Sequence, residues 1–229
     1  MAEVKEVRPR TESEAVVDRA KDFWSRFGKT ISIVLGAVVL VVGGFLIYKN
    51  LIQGPKEKKA ADAIFRAEQF YAQDSLDKAL NGEGTVMGLE KVISQYGGTD
   101  AGNRAKFMAG SIYVKKGNFD KAISYLKDFS TDAPQVQARA YKLLGDAYAE
   151  KNNGKEALDY YKKAAHHLED DDMFASESLF LAAYLSDKVL NDKKGAIELY
   201  KEIKTKYGQT QWAFEAEKYL AVNGVYDAE

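Results

Sequence analysis

The chain has 229 residues, a formal net charge of -1, no cysteine and only three prolines. The near-neutral charge gives no whole-molecule field for capturing nucleic acid, and the lack of cysteine excludes disulfides, thiolate metal sites and cysteine nucleophiles. Because Ala, Leu, Lys and Glu are abundant and helix-breaking prolines are few, the composition predicts an all-α protein.

The first predicted element is a short amphipathic helix over residues 11–27, within an N-terminal tail of residues 1–29. Thr11 and Glu14 have capping-box spacing, and apolar residues then recur at helical intervals. These apolar residues are Val16, Ala20, Phe23, Trp24 and Phe27. We expect the helix to lie at a membrane interface, although a solvated helical tail would have the same pattern.

An apolar run of nineteen uncharged residues, 30–48, follows between Lys29 and Lys49. As an α-helix it would be about 28 Å long, close to the roughly 30 Å hydrocarbon core of a bilayer. It is longer than the apolar stretch of a signal peptide and begins farther from the N-terminus. The run therefore predicts a single uncleaved transmembrane helix over residues 30–52, with a buried core helix as the alternative.

Small residues occupy one stripe of this predicted helix. At 100° per residue, Ser32, Gly36 and Gly43 lie within about 40° of each other, which would let a second transmembrane helix approach closely. Glycine is also common in membrane helices for no such reason, so both interpretations stay open.

The flanking charges do not give the orientation of the predicted membrane helix. Five Lys or Arg residues precede it (Arg10, Arg19, Lys21, Arg26, Lys29) and five follow it (Lys49, Lys56, Lys58, Lys59, Arg66). The turn signal Gly54–Pro55 then predicts a linker over residues 53–59.

Residues 60–225 contain an internal repeat. Aligning 104–134 with 139–169 matches five pairs of identical residues, each 35 positions apart. The pairs are Arg104 and Arg139, Ala105 and Ala140, Gly110 and Gly145, Tyr113 and Tyr148, and Ala122 and Ala157. A third copy, residues 177–208, has one additional residue in its turn. This period predicts helical hairpins that share a core when stacked.

Each copy has a small residue halfway along its first helix and another early in its second helix, so the two axes can pack closely. The small residues are Gly110, Gly145 and Ala183 in the first helices, and Ala122, Ala157 and Ala196 in the second. Residues 57–100 predict a degenerate first hairpin, with a long helix over 57–80, a break at 81–85 and a second helix with Gly88 at the small position. Residues 210–224 predict a terminal helix that covers the open end of the stack.

This pattern, clearest in LLGDAYAEKNNGKEALDYYKKA, resembles the tetratricopeptide repeat family, so the expected fold is one transmembrane helix followed by a superhelix of α-hairpins. The resemblance implies a groove lined by the first helices, with outward positions Arg104, Phe107, Ser111, Lys115, Arg139, Lys142, Asp146, Glu150, Phe180 and Tyr184. Carboxylate-binding members have Lys and Asn where Phe107, Ser111 and Asp146 stand here. We therefore expect a protein partner held by aromatic and apolar contacts, unless the aromatic residues only support the core.

No catalytic or metal site is predicted, and no cofactor or small-molecule substrate. His166 and His167 are adjacent and point about 100° apart on a helix, so they cannot bind one metal together. The EDDDM run at residues 169–173 lacks the ligand pattern of a calcium loop, and no glycine pair precedes the Lys-Ser/Thr of a phosphate loop. We expect that the protein is not an enzyme.

The layout of an anchor, WSRFGKTISIVLGAVVL, followed by a repeat domain also resembles the YfgM-like ancillary subunits of the bacterial Sec translocon. That resemblance implies a bacterial inner-membrane protein with residues 1–29 in the cytoplasm and the repeats in the periplasm. Its implied partners are translocon subunits and a membrane-anchored periplasmic chaperone. A scaffold for outer-membrane protein insertion or cell division, and a self-associating spacer, are alternatives with the same fold.

Overall fold

The structure is a computed structural model that describes residues 12–226, with side chains from residue 16 onward. The chain divides into two compact units, and the boundary lies between Pro55 and Lys56. Thr11 and the side chain of Glu14 lie outside the described part, so the predicted capping box between them stays a prediction.

The described part of the first unit comprises helix α1 (Glu12–Ile47), a π-helical segment over Tyr48–Gln53, and Gly54 and Pro55, which begin the next helix. The predicted amphipathic helix and the predicted transmembrane helix are therefore not separate elements. Gly28, between them, lies inside α1, and the ring of Trp24 covers it: Trp24 Nε1 would lie 3.1 Å from an added Cβ.

The large apolar residues of α1 are mostly exposed in the described part of the chain, although the rings of Phe23 and Phe27 pack on each other. Leu40 is 77% exposed and Val41 is 72% exposed. An 18-residue window in the helical stretch Val16–Ala72 has a mean hydropathy of 2.7 and no buried residue. By length and composition, this is the one helical stretch among residues 12–226 that is suited to cross a membrane.

The second unit is a series of helices interrupted by one small β-hairpin. Its elements are α2 (Gly54–Ala72), α3 (Leu76–Asn81), β1 (Gly82–Glu83), β2 (Val86–Met87), α4 (Leu89–Tyr96), α5 (Asp100–Lys115), α6 (Phe119–Lys127), α7 (Pro134–Glu150), α8 (Gly154–His167), α9 (Asp172–Lys188), α10 (Lys193–Lys206) and α11 (Gln211–Val222). The predicted all-α class is confirmed, with the β-hairpin as an addition that the sequence did not predict.

Residues 54–59, predicted as part of a linker, belong to α2. Gly54 and Pro55 form the first turn of this helix and not a reverse turn. The helical backbone continues into this turn from the π-helical segment, because the Gly54 N–H donates to Lys49 O.

The three predicted hairpins are confirmed as α5–α6, α7–α8 and α9–α10. Their small residues lie where the paired helices are closest: a Cβ added to Gly110 would be 2.6 Å from Leu126 Cγ. One added to Gly145 would be 2.6 Å from the Tyr161 ring. Ala183 and Ala196 are buried at the equivalent places in the third hairpin.

The turns within these hairpins share one conformation. A residue with positive φ (Gly117 at 71°, Asn152 at 56°, Asn191 at 56°) immediately precedes the N-cap of the second helix. The turn has three residues in the first two hairpins and four, 189–192, in the third. The additional residue predicted for the third turn is therefore confirmed.

The first hairpin differs from its prediction. The long helix expected over residues 57–80 is broken at Asp74, which has a φ of 54°, and Ser75 is the N-cap of α3. This is the same turn as in the other hairpins, and Asp tolerates the left-handed conformation better than most residues. Four residues after the N-cap lies the fully buried Ala79, and it occupies the small position instead of Gly88, the residue that the sequence pattern predicts there.

The second helix of this hairpin is split by the β-hairpin. Its parts, α3 with 6 residues and α4 with 8, together match the 14 residues of α8 or α10. Gly82 and Gly88 close the insertion: a Cβ on Gly82 would be 2.1 Å from Val86 O, and one on Gly88 would be 2.2 Å from Leu80 O. Gly88 is thus required by the insertion and not by helix pairing.

The core of the second unit runs along the stack of hairpins. Its larger clusters lie around α2–α5 and around α8–α11. The predicted terminal helix is confirmed as α11, which buries Ala213, Ala216 and Leu220 against the last hairpin. The stack therefore has a covered end and supports a continuous row of first helices.

Candidate functional site

The first helices of neighbouring hairpins lie side by side. Contacts between α2 and α5 follow the same order along both helices, so the two run parallel. They link Glu57 with Asp100 N (3.0 Å), Glu68 with Arg104 (3.1 Å) and Tyr71 with Ser111 (3.2 Å), and in the turn after α2 Asp74 contacts Lys115 (3.1 Å). Between α7 and α9, Lys142 Nζ lies 3.4 Å from Glu177 Oε1.

A cavity of about 330 Å³ opens on this row of helices, and we call it the groove. It is lined by residues of α2, α5, α7 and α9: Tyr71, Phe107, Ser111, Arg139, Lys142, Leu143, Asp146, Phe174 and Glu177. Five of the ten predicted site residues are brought together here, namely Phe107, Ser111, Arg139, Lys142 and Asp146. Four of the nine lining residues are aromatic or aliphatic and five are charged or polar, so the groove is more polar than a typical small-molecule pocket.

Asp146 is at the centre of the charged groups. Tyr161, a buried residue of α8, donates a hydrogen bond from its hydroxyl to Asp146 Oδ1 at 2.9 Å. Lys142 Nζ is 3.8 Å from Asp146 Oδ2, a distance longer than that of a hydrogen-bonded ion pair. The carboxylate is therefore oriented from the interior of the hairpin, and the residue also lines the groove.

Burial raises the pKa of the Asp146 carboxyl above its ordinary value. The charge of Lys142 and the hydrogen bond from Tyr161 oppose this rise, whereas the charges of Glu177 and Glu150 add to it. Burial and the neighbouring carboxylate of Asp146 also raise the pKa of Tyr161. Tyr161 therefore stays protonated and remains a hydrogen-bond donor at neutral pH.

Arg104, Lys115 and Glu150 do not line the groove. Arg104 pairs with Glu68, and Lys115 pairs with Asp74 near the C-terminal end of α5. Glu150 is exposed in the last turn of α7. These three predicted site residues lie on the same helix faces as the groove residues, because their spacings of three and four keep them on one stripe. They are outside the cavity because they lie farther along the helix axes.

Phe180 and Tyr184 belong to an aromatic cluster between α9 and α11. The Phe180 ring centroid is 5.0 Å from that of Trp212 and 5.5 Å from that of Tyr219, and the Tyr184 centroid is 6.0 Å from that of Tyr219. Phe180 thus packs the terminal helix onto the stack, which is the core-supporting role left open for the aromatic residues. Tyr184 keeps 43% of its surface exposed.

Sequence reasoning missed Tyr71, Leu143, Phe174 and Glu177 as residues of the groove. Glu177 is 38 residues after Arg139, the same offset that relates Ala183 to Gly145 and Phe180 to Lys142, so the alignment through Ala183 was sufficient to find it. Tyr71 was missed because the turn of the first hairpin was predicted at residues 81–85, whereas it lies at Asp74 and Ser75.

Within the described part of the chain, no group of three or more His, Asp or Glu residues is arranged to hold a metal ion. His166 Nε2 lies 3.3 Å from Glu202 Oε1, and the ring of His167 packs edge-on against Tyr141. Both histidines are thus in surface contacts at the end of α8.

The predicted helix-packing residues Ser32, Gly36 and Gly43 lie on α1. Ser32 and Gly36 are exposed, and a Cβ added to Gly36 or Gly43 would meet no atom within 4 Å. Nothing within the described chain therefore requires glycine at these two positions.

A tetratricopeptide repeat-like domain matches residues 21–140, which is 120 of the 229 residues. The chain belongs to this family of tetratricopeptide repeat-like domains. A tetratricopeptide repeat also matches residues 177–210, the greater part of α9 with α10. Comparison with curated proteins gives no match. The predicted repeat fold is thereby confirmed at the level of the family.

Proposed function

We propose that this protein is a membrane-anchored adaptor whose groove binds a protein partner. The observation that carries the proposal is the groove itself, which α2, α5, α7 and α9 form together from residues far apart in the chain. Aromatic anchors such as Phe107 and Phe174, placed next to a few oriented polar groups, are typical of protein-binding hot spots. We also propose that the protein is not an enzyme, since no nucleophile and base are paired in the groove.

In this proposal α1 crosses the membrane and holds the repeats at its surface. Twelve of the nineteen residues between Lys29 and Lys49 are Val, Ile, Leu or Phe. At about 0.3 to 0.6 kcal/mol each, they favour insertion by roughly 4 to 7 kcal/mol. Restricting the protein to the membrane raises its local concentration near other membrane proteins, so a weak contact in the groove is sufficient for function.

Our narrower proposal is an ancillary subunit of the bacterial Sec translocon that works with a periplasmic chaperone. It is supported by the resemblance in layout, an N-terminal anchor followed by a tetratricopeptide repeat domain. It implies a single-pass inner-membrane protein with residues 1–29 in the cytoplasm and residues 60–225 in the periplasm. A scaffold of another envelope assembly and a self-associating spacer are the alternatives.

Photo-crosslinking from the groove tests the adaptor proposal. A photoreactive amino acid replaces Phe107 in one variant and Asp159, exposed on α8, in the control variant. We expect specific protein adducts from position 107 that are absent from position 159, and mass spectrometry identifies them. Equal adducts from both positions would contradict a partner in the groove, and adducts of the protein with itself would favour the spacer.

Co-purification from gently solubilised membranes tests the narrower proposal. We expect translocon subunits and a periplasmic chaperone with the wild type, and less of them with the double variant Gly36→Leu and Gly43→Leu. The control is Val34→Leu with Val41→Leu, on the opposite side of α1 at 100° per residue. Recovery of another envelope machine would overturn the translocon assignment, and equal recovery with both double variants would overturn the packing role of the glycines.

A further inference from the structure

Asp146 has one oxygen that is already bound and one that is available. Tyr161 reaches Oδ1 from within the α7–α8 hairpin at 2.9 Å and so fixes the direction of the carboxylate. Among residues 12–226, no donor is hydrogen-bonded to Oδ2, and Lys142 Nζ stays 3.8 Å away. An acceptor that is held in place before binding loses little conformational entropy when a donor arrives.

Asp146 shares its nearest cation with a second carboxylate. Glu177 also lines the groove, and its charge raises the pKa of the Asp146 carboxyl, whereas the charge of Lys142 lowers that pKa. Lys142 is divided between Asp146 at 3.8 Å and Glu177 at 3.4 Å, so it does not neutralise both. Arg139, the second cation that lines the groove, and Glu150, one helical turn after Asp146, are both exposed, so solvent screens their charges alike.

The rest of the groove is suited to an apolar side chain. Phe107, Leu143 and Phe174 line the cavity together with the ring of Tyr71, whose hydroxyl is hydrogen-bonded to Ser111 at 3.2 Å. Its volume of about 330 Å³ is at the lower end of ligand pockets, enough for one large apolar side chain with its backbone.

We infer that the groove recognises a segment of its protein partner that presents a basic side chain to Asp146 beside an apolar side chain in the cavity. This inference rests on the proposed adaptor function and names the chemistry of the partner. The guanidinium of an arginine forms the strongest such contact, because it is always charged and presents several N–H donors to a carboxylate oxygen. Lys142 then remains with Glu177.

The test uses the full chain in lipid nanodiscs and a pool of capped heptapeptides. Each peptide carries one leucine or phenylalanine and one test residue, which is arginine, citrulline or glutamate. The pool as a whole covers every spacing between these two residues. Citrulline has nearly the shape of arginine without its charge, so the ratio of bound arginine peptides to bound citrulline peptides measures recognition of the charge. Mass spectrometry of the bound fraction gives this ratio for wild type, Asp146→Asn and the control Asp159→Asn, a change on the exposed face of α8.

We expect arginine peptides to be enriched about tenfold over citrulline peptides by the wild type and by Asp159→Asn, and less than about twofold by Asp146→Asn. Asparagine retains an oxygen that can accept from Tyr161, so the hairpin should stay folded, and circular dichroism checks this. Equal enrichment of both peptide classes, a preference for glutamate, or a preference unchanged in Asp146→Asn would overturn the inference. Absence of any binding would also overturn it, whereas the adaptor proposal depends on the adducts from position 107.

Discussion

At the scale of single residues, the groove depends on a contact that begins in the core. Tyr161 fills the space beside Gly145, and from there its hydroxyl reaches Asp146 on the neighbouring helix. The small residue that lets α7 and α8 pack closely therefore also permits the hydrogen bond that orients a groove residue. Packing within the hairpin and the shape of the site are linked through these three residues.

Changing Gly145 to Ala should destabilise the second unit by about 1 to 3 kcal/mol, the usual range for overpacking a core. The added methyl would lie 2.6 Å from the Tyr161 ring, which is buried and cannot simply rotate away. Thermal unfolding followed by circular dichroism measures the loss. Gly98→Ala is the control, because its methyl meets no atom within 4 Å, and an equal loss there would contradict this explanation.

The raised pKa of Asp146 makes a second prediction, on pH. The folded state binds this proton more tightly than the unfolded chain, so the contribution of Asp146 to stability is fully present below its ordinary pKa of 3.8 and is lost as pH rises through the folded pKa. Asp146→Asn has no such titration. Relative to wild type, its melting temperature should therefore increase between acidic and neutral pH.

Comparing the two proteins removes the opposite contributions of Glu90 and Glu202, whose pKa values are lowered by hydrogen bonds to lysine and other partners against the effect of burial. Both proteins retain those groups. A difference in melting temperature that does not change with pH, or that decreases towards neutral pH, would show that the charged carboxylate of Asp146 is not destabilised by its burial.

At the scale of elements, the first hairpin has the positive-φ turn that recurs in the other hairpins of this chain, and it also has an insertion that they lack. Asp74 and Ser75 repeat the turn of the other hairpins, and the β-hairpin then divides the second helix into α3 and α4. Helix pairing is maintained on both sides of the division, since Ala79 and Val92 are both fully buried. The insertion is therefore accommodated within the stack without removing the hairpin from its core.

The two glycines with positive φ in the insertion should respond differently to alanine. Gly82→Ala places a methyl 2.1 Å from Val86 O at a φ of 83°, whereas Gly84→Ala has a φ of 59° but open space around the methyl. We expect a loss of about 1 kcal/mol for Gly84→Ala from backbone strain alone. Gly82→Ala should lose about 1 to 3 kcal/mol more, and equal losses in thermal unfolding would contradict the close approach of the two strands.

At the scale of the whole molecule, a helix with exposed apolar residues is joined in sequence to a repeat domain with its own core. The apolar residues of α1 are about half to three-quarters exposed, while those of the repeats form continuous clusters. Such a helix is unfavourable in water, because neither folding nor a neighbouring element shields its apolar surface from the solvent. Insertion into a membrane would transfer that apolar surface out of water, which is the role proposed for α1.

Changing both Val39 and Leu40 to Arg should abolish stable membrane association. Each arginine near the centre of the bilayer costs about 2.5 to 3.5 kcal/mol, so two nearly cancel the roughly 4 to 7 kcal/mol that favour insertion. Extraction with alkaline carbonate, followed by sedimentation, measures the fraction in the membrane. Val34→Leu with Val41→Leu should remain in the pellet, and retention of the arginine variant there would contradict α1 as the anchor.

The sequence alone was sufficient for the features that depend on local composition or on repetition. The run at residues 30–48 is apolar enough to indicate a membrane helix without reference to any other residue. The small residues of each hairpin recur at similar spacings, because in every copy two helices pack closely and need a small side chain at the contact. The fold of the three regular hairpins, the additional turn residue at 189–192 and the terminal helix followed from these patterns.

Only the tertiary structure decided which residues meet across hairpins. Lys142 contacts Glu177 and not Phe180, because the register between neighbouring first helices is set by how whole hairpins stack. Tyr161 reaches Asp146 because the gap beside Gly145 admits its ring, and this distance exists only once α7 and α8 are packed. Local patterns specify elements, whereas a groove formed by four helices depends on their mutual packing, which no single segment encodes.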